Sequence, residues 1–506
     1  MENNYLGDRG YTIIKTLSNS SQITSLKKKL TVKPFVNKQF QKDSKPFSVF
    51  LESKRKIYIP KHFGINNFGL PKIDKTNKGS PINIKFSSDL RDNQKPVVKK
   101  FLKVANEKGG GIISVPCGFG KTVLALYLVA ALKVKTLVIV HKEFLMDQWK
   151  ERIEFFLPNA KVGKIQGDIV KIEDKDIVIG MLQSISMRDY PNDVFKDFGF
   201  VIYDECHHLG AEVFSRSLMK VGCKYTLGLS ATPKRSDGLT KVFEWFLGET
   251  VYSIKQREKE DVKVKLIKYY AEDEVYSEIK TNFKGQINMP TMITNICMYE
   301  PRNILILEEV DKCIKEKRKI LILSDRRDHL KFLHQILDNK NVSNGFYLGG
   351  MKQKDLKETE EKQVMLGTFS MASEGFDCKT LNTIFLASPK SSIEQAVGRI
   401  LRQKKEERTI IPMVIDIIDN FSIFSRQGEK RKTFYKKNKY KIKNINLDIR
   451  EINKSNYETK NNSDVDNSVD DNSVDDNSVD DNSDEDETEL SNKLNNCKFQ
   501  PDSDDE

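Results

Sequence analysis

Cysteine is scarce and scattered: seven in 506 residues, none in a C-x-x-C pair, which argues against both a zinc ribbon and a disulfide framework and makes reduced thiols the expectation. Eighteen consecutive apolar residues occur nowhere, so no membrane-spanning helix is expected. Residues 1–20 lack the apolar core of a secretory signal, and a soluble intracellular protein is the expectation. What is present suffices for large cores. Hydrophobic residues make up 38% of a chain too long for one core, so about two to four domains are expected.

The net charge of +12 conceals a division. From Asn461 to Glu506 there are 17 acidic residues and two lysines, leaving +27 on residues 1–460. A body that basic points to a polyanionic partner, most simply nucleic acid; the competing reading is a solvated, lysine-rich surface. The tail repeats Asn-Ser-Val-Asp-Asp between Asn467 and Asp481 and follows a basic run, Lys430 to Lys443. Acid without apolar mass cannot offset chain entropy, so disorder is expected there. Such a tail either competes with nucleic acid for the basic body or is a low-complexity appendage.

The chain is organised around Ile112 to Leu132, IISVPCGFGKTVLALYLVAAL. Ile112 to Val115 reads as a buried strand, Pro116 to Gly120 as a loop, and Lys121 onward as an apolar helix. That arrangement holds phosphate: Gly118 and Gly120 let the loop turn its N–H groups inward around Phe119, above a helix N-terminus. Lys121 would reach the β and γ oxygens and Thr122 would ligate Mg²⁺, although Val115 stands where the strict pattern has its first glycine.

Upstream, residues 1–82 read as an accessory region, partly β, with strands at Phe47 to Leu51 and Arg55 to Ile59 and a lysine cluster around Phe35 and Phe40. Leu90-Arg91-Asp92-Asn93-Gln94 opens an amphipathic helix, and the Gln94 amide is a candidate reader of adenine. Strand-like runs then recur at Thr136 to Val140, Asp176 to Gly180, Phe200 to Tyr203 and Tyr225 to Leu229, separated by helical patterns such as His141 to Phe156. Alternation of this kind predicts a parallel sheet whose ligands gather at the carboxyl ends of the strands. The residues there are His141 and Lys142, Gln183 and Ser184, Asp204-Glu205-Cys206-His207, and Ser230-Ala231-Thr232. Asp204 can hold Mg²⁺ and Glu205 can polarise an attacking water, with His207 sensing the nucleotide. A His/Cys metal site at Cys206, His207 and His208 is the poorer alternative, because adjacent residues converge badly.

Residues 248–300 read as a connector with an inserted helical piece. A second alternating set follows at Lys319 to Leu323, Val364 to Gly367, Thr383 to Ala387 and Ile410 to Ile415. It has no phosphate loop, but Arg399 and Arg402 stand three apart, on one helix face, and could neutralise charge on a γ-phosphate. Two solvated helix arginines are the bland alternative.

Taken in order, SVPCGFGKT, DECH, LSATP, GTFSMASEGFD and QAVGRILR resemble the motif series of superfamily 2 helicases and translocases, across residues 90 to 420. LRDNQ before the loop and ATPKRSDG after the third motif look most like the XPB/UvsW-type group, which includes the transcript-release DNA helicases of poxviruses and other large DNA viruses. The resemblance implies an α/β chain with two RecA-like domains closing on ATP and Mg²⁺, at 83–247 and 301–445, before an acidic tail at 446–506. It implies that Arg91 and Gln94 recognise adenine, that Ser230, Ala231 and Thr232 couple hydrolysis to movement, and that Gly375 and Asp377 face the nucleotide. Gln395 would then meet the attacking water and Arg399 and Arg402 the γ-phosphate, while His141, Lys142, Gln183, Ser184, Thr368 and Ser370 grip a sugar-phosphate backbone. The expected partners are nucleic acid, DNA before RNA, and a transcription machinery, with no membrane; the expected site of action is the nucleus, a viral factory or a virion. An RNA helicase and a non-catalytic binder with a degenerate motor fold are the rival readings, the latter opposed by the filled catalytic positions.

Overall fold

The computed structural model describes residues 4–34, 45–116, 118–206, 211–231, 238–254, 260–283, 285–374, 376, 378–403 and 405–450. Phe35, Phe40, His207, His208, Thr232, Gly375, Asp377 and residues 451–506 lie outside the described residues, whereas residues 446–448, expected to open the acidic tail, end the strand Lys441–Asp448. The described residues form two compact units, one ending before residue 256 and one beginning after it.

The first unit begins with β1 (Tyr5–Gly7), β2 (Gly10–Ile14), β3 (Thr31–Val32), β4 (Phe47–Ser48), β5 (Leu51–Glu52), β6 (Lys56–Ile59) and β7 (Ile73–Asp74). Five of these make a sheet in the order β5-β6-β2-β1-β7, and β3 and β4 pair by themselves. The single strand expected from Phe47 to Leu51 is therefore split. Val49, 1% exposed, is drawn into the core with its N–H on the Leu30 carbonyl, so the chain changes partner there. Among the described residues this β-rich region has no separate core: Leu6, Ile13, Ile59 and Phe63 share one buried cluster with Leu137 and Val201 of the parallel sheet that follows and with Leu218 and Phe246 of its flanking helices. Two backbone approaches fix it. Lys61 Nζ donates to the Lys224 carbonyl at 2.6 Å, and a Cβ on Gly222 would lie 2.0 Å from the Asp8 Cα, so only glycine fits there.

The remainder of this unit contributes β8 (Gly110–Ser114), β9 (Thr136–Val140), β10 (Val162–Gln166), β11 (Ile169–Lys171), β12 (Ile177–Met181), β13 (Phe200–Tyr203), β14 (Tyr225–Ser230) and β15 (Thr250–Ser253). Their order is β11-β10-β12-β9-β13-β14-β8-β15, parallel except for the β10/β11 edge. The central strands, TLVIV, IVIGM, FVIY and YTLGLS, are buried along their whole length, as parallel strands covered on both faces must be.

The second unit holds β16 (Lys263–Tyr270), β17 (Ile320–Leu323), β18 (Asn344–Tyr347), β19 (Val364–Gly367), β20 (Thr383–Leu386), β21 (Met413–Asp419) and β22 (Lys441–Asp448). All pair in parallel, in the order β18-β19-β17-β20-β21-β16-β22. The stretch read as a connector at 248–300 is thus largely structural: β15 closes the first sheet, and β16 lies inside the second. The mixed α/β architecture of parallel sheets flanked by helices is the one expected. No helix among the described residues is long and apolar enough to cross a membrane.

Candidate active site and nucleic-acid interface

Strand β8 ends at Ser114 and the helix Lys121–Leu132 begins seven residues later, so the phosphate loop joins them at the carboxyl edge of the sheet. Gly118 (φ +83) and Gly120 (φ +97) take the left-handed conformation that the turn requires. Gly120 has a second reason to be glycine, since a Cβ there would sit 2.6 Å from Gln94 Nε2.

Gln94, 2% exposed, is the residue before the helix Lys95–Lys108 rather than part of an earlier turn of it. Its Nε2 donates to the Phe119 carbonyl at 2.8 Å, and its Oε1 accepts the Arg91 N–H at 3.0 Å. One amide therefore ties the LRDNQ turn to the crest of the phosphate loop. Arg91 is exposed beside it.

Lys121 and Glu205 stand 84 residues apart in sequence and meet at 2.5 Å, Nζ to Oε1, with both side chains mostly buried. Glu205 adopts φ +45, a conformation unusual for a side chain of its size, where the chain turns away from β13. Asp204, 7% exposed, accepts from Trp149 Nε1 at 2.8 Å on Oδ2 and from the Glu205 N–H at 3.0 Å on Oδ1. Burial, and then the charge of Glu205, push its carboxyl pKa up. An acid pair in contact with Lys121, whose sequence neighbour is Thr122, is a donor set that suits a hard cation holding phosphate oxygens.

The neighbouring strand ends are tied to one another by hydrogen bonds. Ser230, 1% exposed, closes β14, and its carbonyl accepts the Val115 N–H at 3.1 Å at the entrance to the phosphate loop; Ala231 follows it. Gln183 Nε2 donates to the His141 carbonyl at 2.9 Å, and the Ser184 hydroxyl accepts the Gly167 N–H at 2.9 Å. The ends of β9 and β12 are thereby locked together, with Lys142 alongside.

In the second unit Thr368 and Ser370 follow β19, their hydroxyls 3.2 Å apart. The helix expected across QAVGRILR is a short α-turn, Glu394–Val397, running into a 3-10 turn, Gly398–Leu401, with Arg402 at its end. Gln395 is half-buried. Arg399 is 5% exposed and donates from Nε to the Ala372 carbonyl at 2.6 Å and from Nη1 to the Phe376 carbonyl at 3.0 Å. Two of its donors are thus committed to the GTFSMASEGFD segment. Arg402 is less buried and acts electrostatically on Glu360, whose pKa burial pushes up and Arg402 pulls back. The two arginines stand in different surroundings despite their spacing.

Sequence reasoning missed Trp149 and Glu360. Trp149 reads as an ordinary core position of the helix Glu143–Phe156, and only the fold brings its indole N–H to Asp204, 55 residues on.

Comparisons with known proteins cover both units. A family model described as "Type III restriction enzyme, res subunit" matches residues 87–235, and the helicase conserved C-terminal domain matches residues 303–404. A protein of Acanthamoeba polyphaga mimivirus named as an ATP-dependent RNA helicase, L396, is 37% identical over 467 residues, covering 90% of this chain and 89% of the relative. One from Invertebrate iridescent virus 6, named as helicase 161L, is 28% identical and covers 84% of this chain and 97% of its own. A fragment structure named as an HsdR subunit of a type I restriction enzyme, from Vibrio vulnificus, shares the fold with a TM-score of 0.51 at 17% identity, covering 72% of this chain and 70% of the other. With family models matching both units and a relative 37% identical over about nine-tenths of each chain, the chain belongs to the superfamily 2 helicases, as an ATP-dependent helicase related to those of large DNA viruses.

Proposed function

We propose that this helicase uses ATP and Mg²⁺ to move along DNA, in transcription or repair. The observation that carries the motor chemistry is the Lys121–Glu205 contact beside the buried Asp204. A triphosphate takes Lys121 through its β and γ oxygens, and Glu205, released from the lysine, is then placed to polarise the attacking water. Thr122 and Asp204 would hold Mg²⁺, which supplies charge neutralisation at the phosphate oxygens when bound. Arg402 supplies positive charge as the γ-phosphate leaves, and Arg399 positions the segment from Phe369 to Phe376 through its carbonyls. His141, Lys142, Gln183 and Ser184 from the first unit, with Thr368 and Ser370 from the second, hold the sugar-phosphate backbone, so binding is sequence-independent and salt-sensitive.

DNA is supported by the LRDNQ and ATPKRSDG segments and their likeness to the XPB/UvsW type. RNA is the second reading, supported by the name of the mimivirus relative. Steady-state ATPase rates with matched DNA and RNA oligonucleotides at one salt concentration decide between them: stronger stimulation by DNA is expected, and stimulation by RNA alone overturns the choice. In the same assay Arg402→Ala is expected to bind nucleotide and lose ~10³-fold in turnover. Wild-type turnover by that variant would remove Arg402 from the catalytic set.

A further inference from the structure

We infer that His329 is a positioning residue for the polynucleotide grip of the second unit: its ring joins the Asn303 amide to the Ser324 hydroxyl and so sets the turn that stands beside Thr368 and Ser370. The inference rests on the reading that Thr368 and Ser370 hold a sugar-phosphate backbone, and it adds the residues that aim them.

The three side chains are buried, Asn303 at 1% exposure and Ser324 and His329 at 0%, and their hydrogen bonds run in one direction. Asn303 Nδ2 donates to the Cys297 carbonyl at 2.8 Å, which turns its Oδ1 toward the ring, 2.9 Å from His329 Nε2. An amide oxygen only accepts, so Nε2 bears the ring proton, and Nδ1 accepts from the Ser324 hydroxyl at 3.0 Å. Burial, and then the charge of Arg302, lower the imidazole pKa to about 3 from the usual 6.5, so the ring is neutral at ordinary pH. The Ser324 oxygen in turn accepts the Arg326 N–H at 3.1 Å. Four hydrogen bonds thus run from the Arg326 backbone to the Cys297 carbonyl. Arg326 closes the circuit, since its guanidinium donates to Thr294 Oγ1 at 2.9 Å and to the Pro290 carbonyl at 2.8 Å on the same helix, Met289–Met298. Apolar residues of the same shape would fill this space at little cost in stability, so what the polar set contributes is direction. Ser324, fully buried with its proton on the ring, is out of reach of a substrate, and the set positions without reacting.

What the set directs is the carboxyl edge of the sheet. Ser324 follows β17, the strand between β19 and β20. Its N–H donates to the Gly367 carbonyl at 3.1 Å, one residue before Thr368, and the Asp325 N–H donates to Ser388 Oγ at 3.0 Å just beyond β20. Arg302 precedes Asn303 on the helix Glu300–Lys315 and donates to the Ala387 carbonyl at 2.7 Å and from Nε to Asp419 at 2.7 Å, at the end of β21. Two consecutive residues of one helical turn therefore tie together the ends of β17, β20 and β21, and Ser324 extends the tie to β19. His329 links that turn to Ser324 and hence to the strand end that leads into Thr368 and Ser370. Without the ring nitrogen the Ser324 hydroxyl loses its acceptor, and the turn between the two strand ends loses the bond that sets its direction.

The test compares two amide replacements in the full chain, with a single-stranded DNA or RNA oligonucleotide, whichever better stimulates the ATPase. His329→Asn places its amide oxygen near the position of Nδ1 and keeps an acceptor for Ser324, whereas His329→Gln reaches the position of Nε2 and keeps only the donor to Asn303. Each removes one of the two ring hydrogen bonds, so similar thermal midpoints are expected, with kcat at saturating oligonucleotide and KM for ATP within about twofold of wild type. Only His329→Gln is expected to raise the oligonucleotide concentration giving half-maximal ATPase, by about tenfold, and Ser324→Ala is expected to raise it as much. An equal rise in both His329 variants, or no rise in His329→Gln and Ser324→Ala, would overturn the assignment. If either His329 variant fails to fold, Ser324→Ala decides alone, since it removes a single oxygen. Failure of the underlying grip is distinguishable, because Thr368→Ala would then leave the half-maximal oligonucleotide concentration unchanged whatever the His329 variants do.

Discussion

Asp204 has both carboxylate oxygens occupied within the protein, one by the Trp149 indole and one by the Glu205 backbone. A hydrogen bond from a neutral donor to a carboxylate is worth about 1.5–3 kcal/mol when its loss leaves the anion buried, and here it also sets the direction in which the remaining lone pairs face. Trp149→Phe keeps most of the volume and removes only the donor. Its expected effect is a rightward shift of about tenfold in the Mg²⁺ concentration giving half-maximal ATPase, with nucleotide affinity and fold retained. A variant that lost stability while its Mg²⁺ dependence stayed put would make Trp149 a packing residue and nothing more. None of this was legible in the chain, where the apolar periodicity of Glu143–Phe156 marks Trp149 only as core. The contiguous groups were legible, because GFGKT and DE carry their chemistry within a few residues of one strand end. Arg399 lies between these cases: its residue type was plain, but its commitment to two carbonyls depends on a segment some two dozen residues upstream.

Among the elements, the sequence disclosed the strands that are buried on both faces. TLVIV, FVIY and VMLG stand out as unbroken apolar runs and occupy the residues expected. Strands β16 and β22, KVKLIKYY and KIKNINLD, did not, since alternating lysine and asparagine fit a half-solvated strand and a polar linker equally well. The junction of the N-terminal sheet with the parallel sheet was equally hidden, and it has a measurable signature. Lys61 is buried against Gly109 and the Lys224 carbonyl, and burial, opposed by Asp74, lowers its pKa to about 8 from the usual 10.5. Between those two values the unfolded chain holds a proton that the folded chain has lost, so this lysine's contribution to stability is present above pH 10.5 and is lost as pH falls through about 8. Unfolding measured from pH 7 to 10 should therefore move in favour of wild type relative to Lys61→Met, by up to roughly 3 kcal/mol. Subtracting the variant cancels the tyrosines and most of the contribution of Cys223, whose thiol burial pushes up to about 12. A difference that stays flat across this range would place the Lys61 ammonium in water.

For the whole chain, the dominant quantity is the opposition between a body of +27 and a tail of −15. The charges are joined covalently, so they meet at a concentration that dilution cannot lower, and only salt can separate them. At 0.01 M ionic strength the screening length is about 30 Å, and the tail's charge competes with a polynucleotide for the same basic surface; at 0.15 M it is about 8 Å, and only contacting groups matter. A chain ending at residue 460 should consequently bind a single-stranded oligonucleotide more tightly than the full chain at low salt, and the two affinities should converge near physiological salt. The slope of log affinity against log salt should be steeper for the shorter chain, because more of its bound cations are then neutralised by phosphate instead of by its own aspartates. Equal affinities and equal slopes at every salt concentration would mean that the tail's charge never reaches the binding surface. In that case the basic body alone sets how the helicase finds its track.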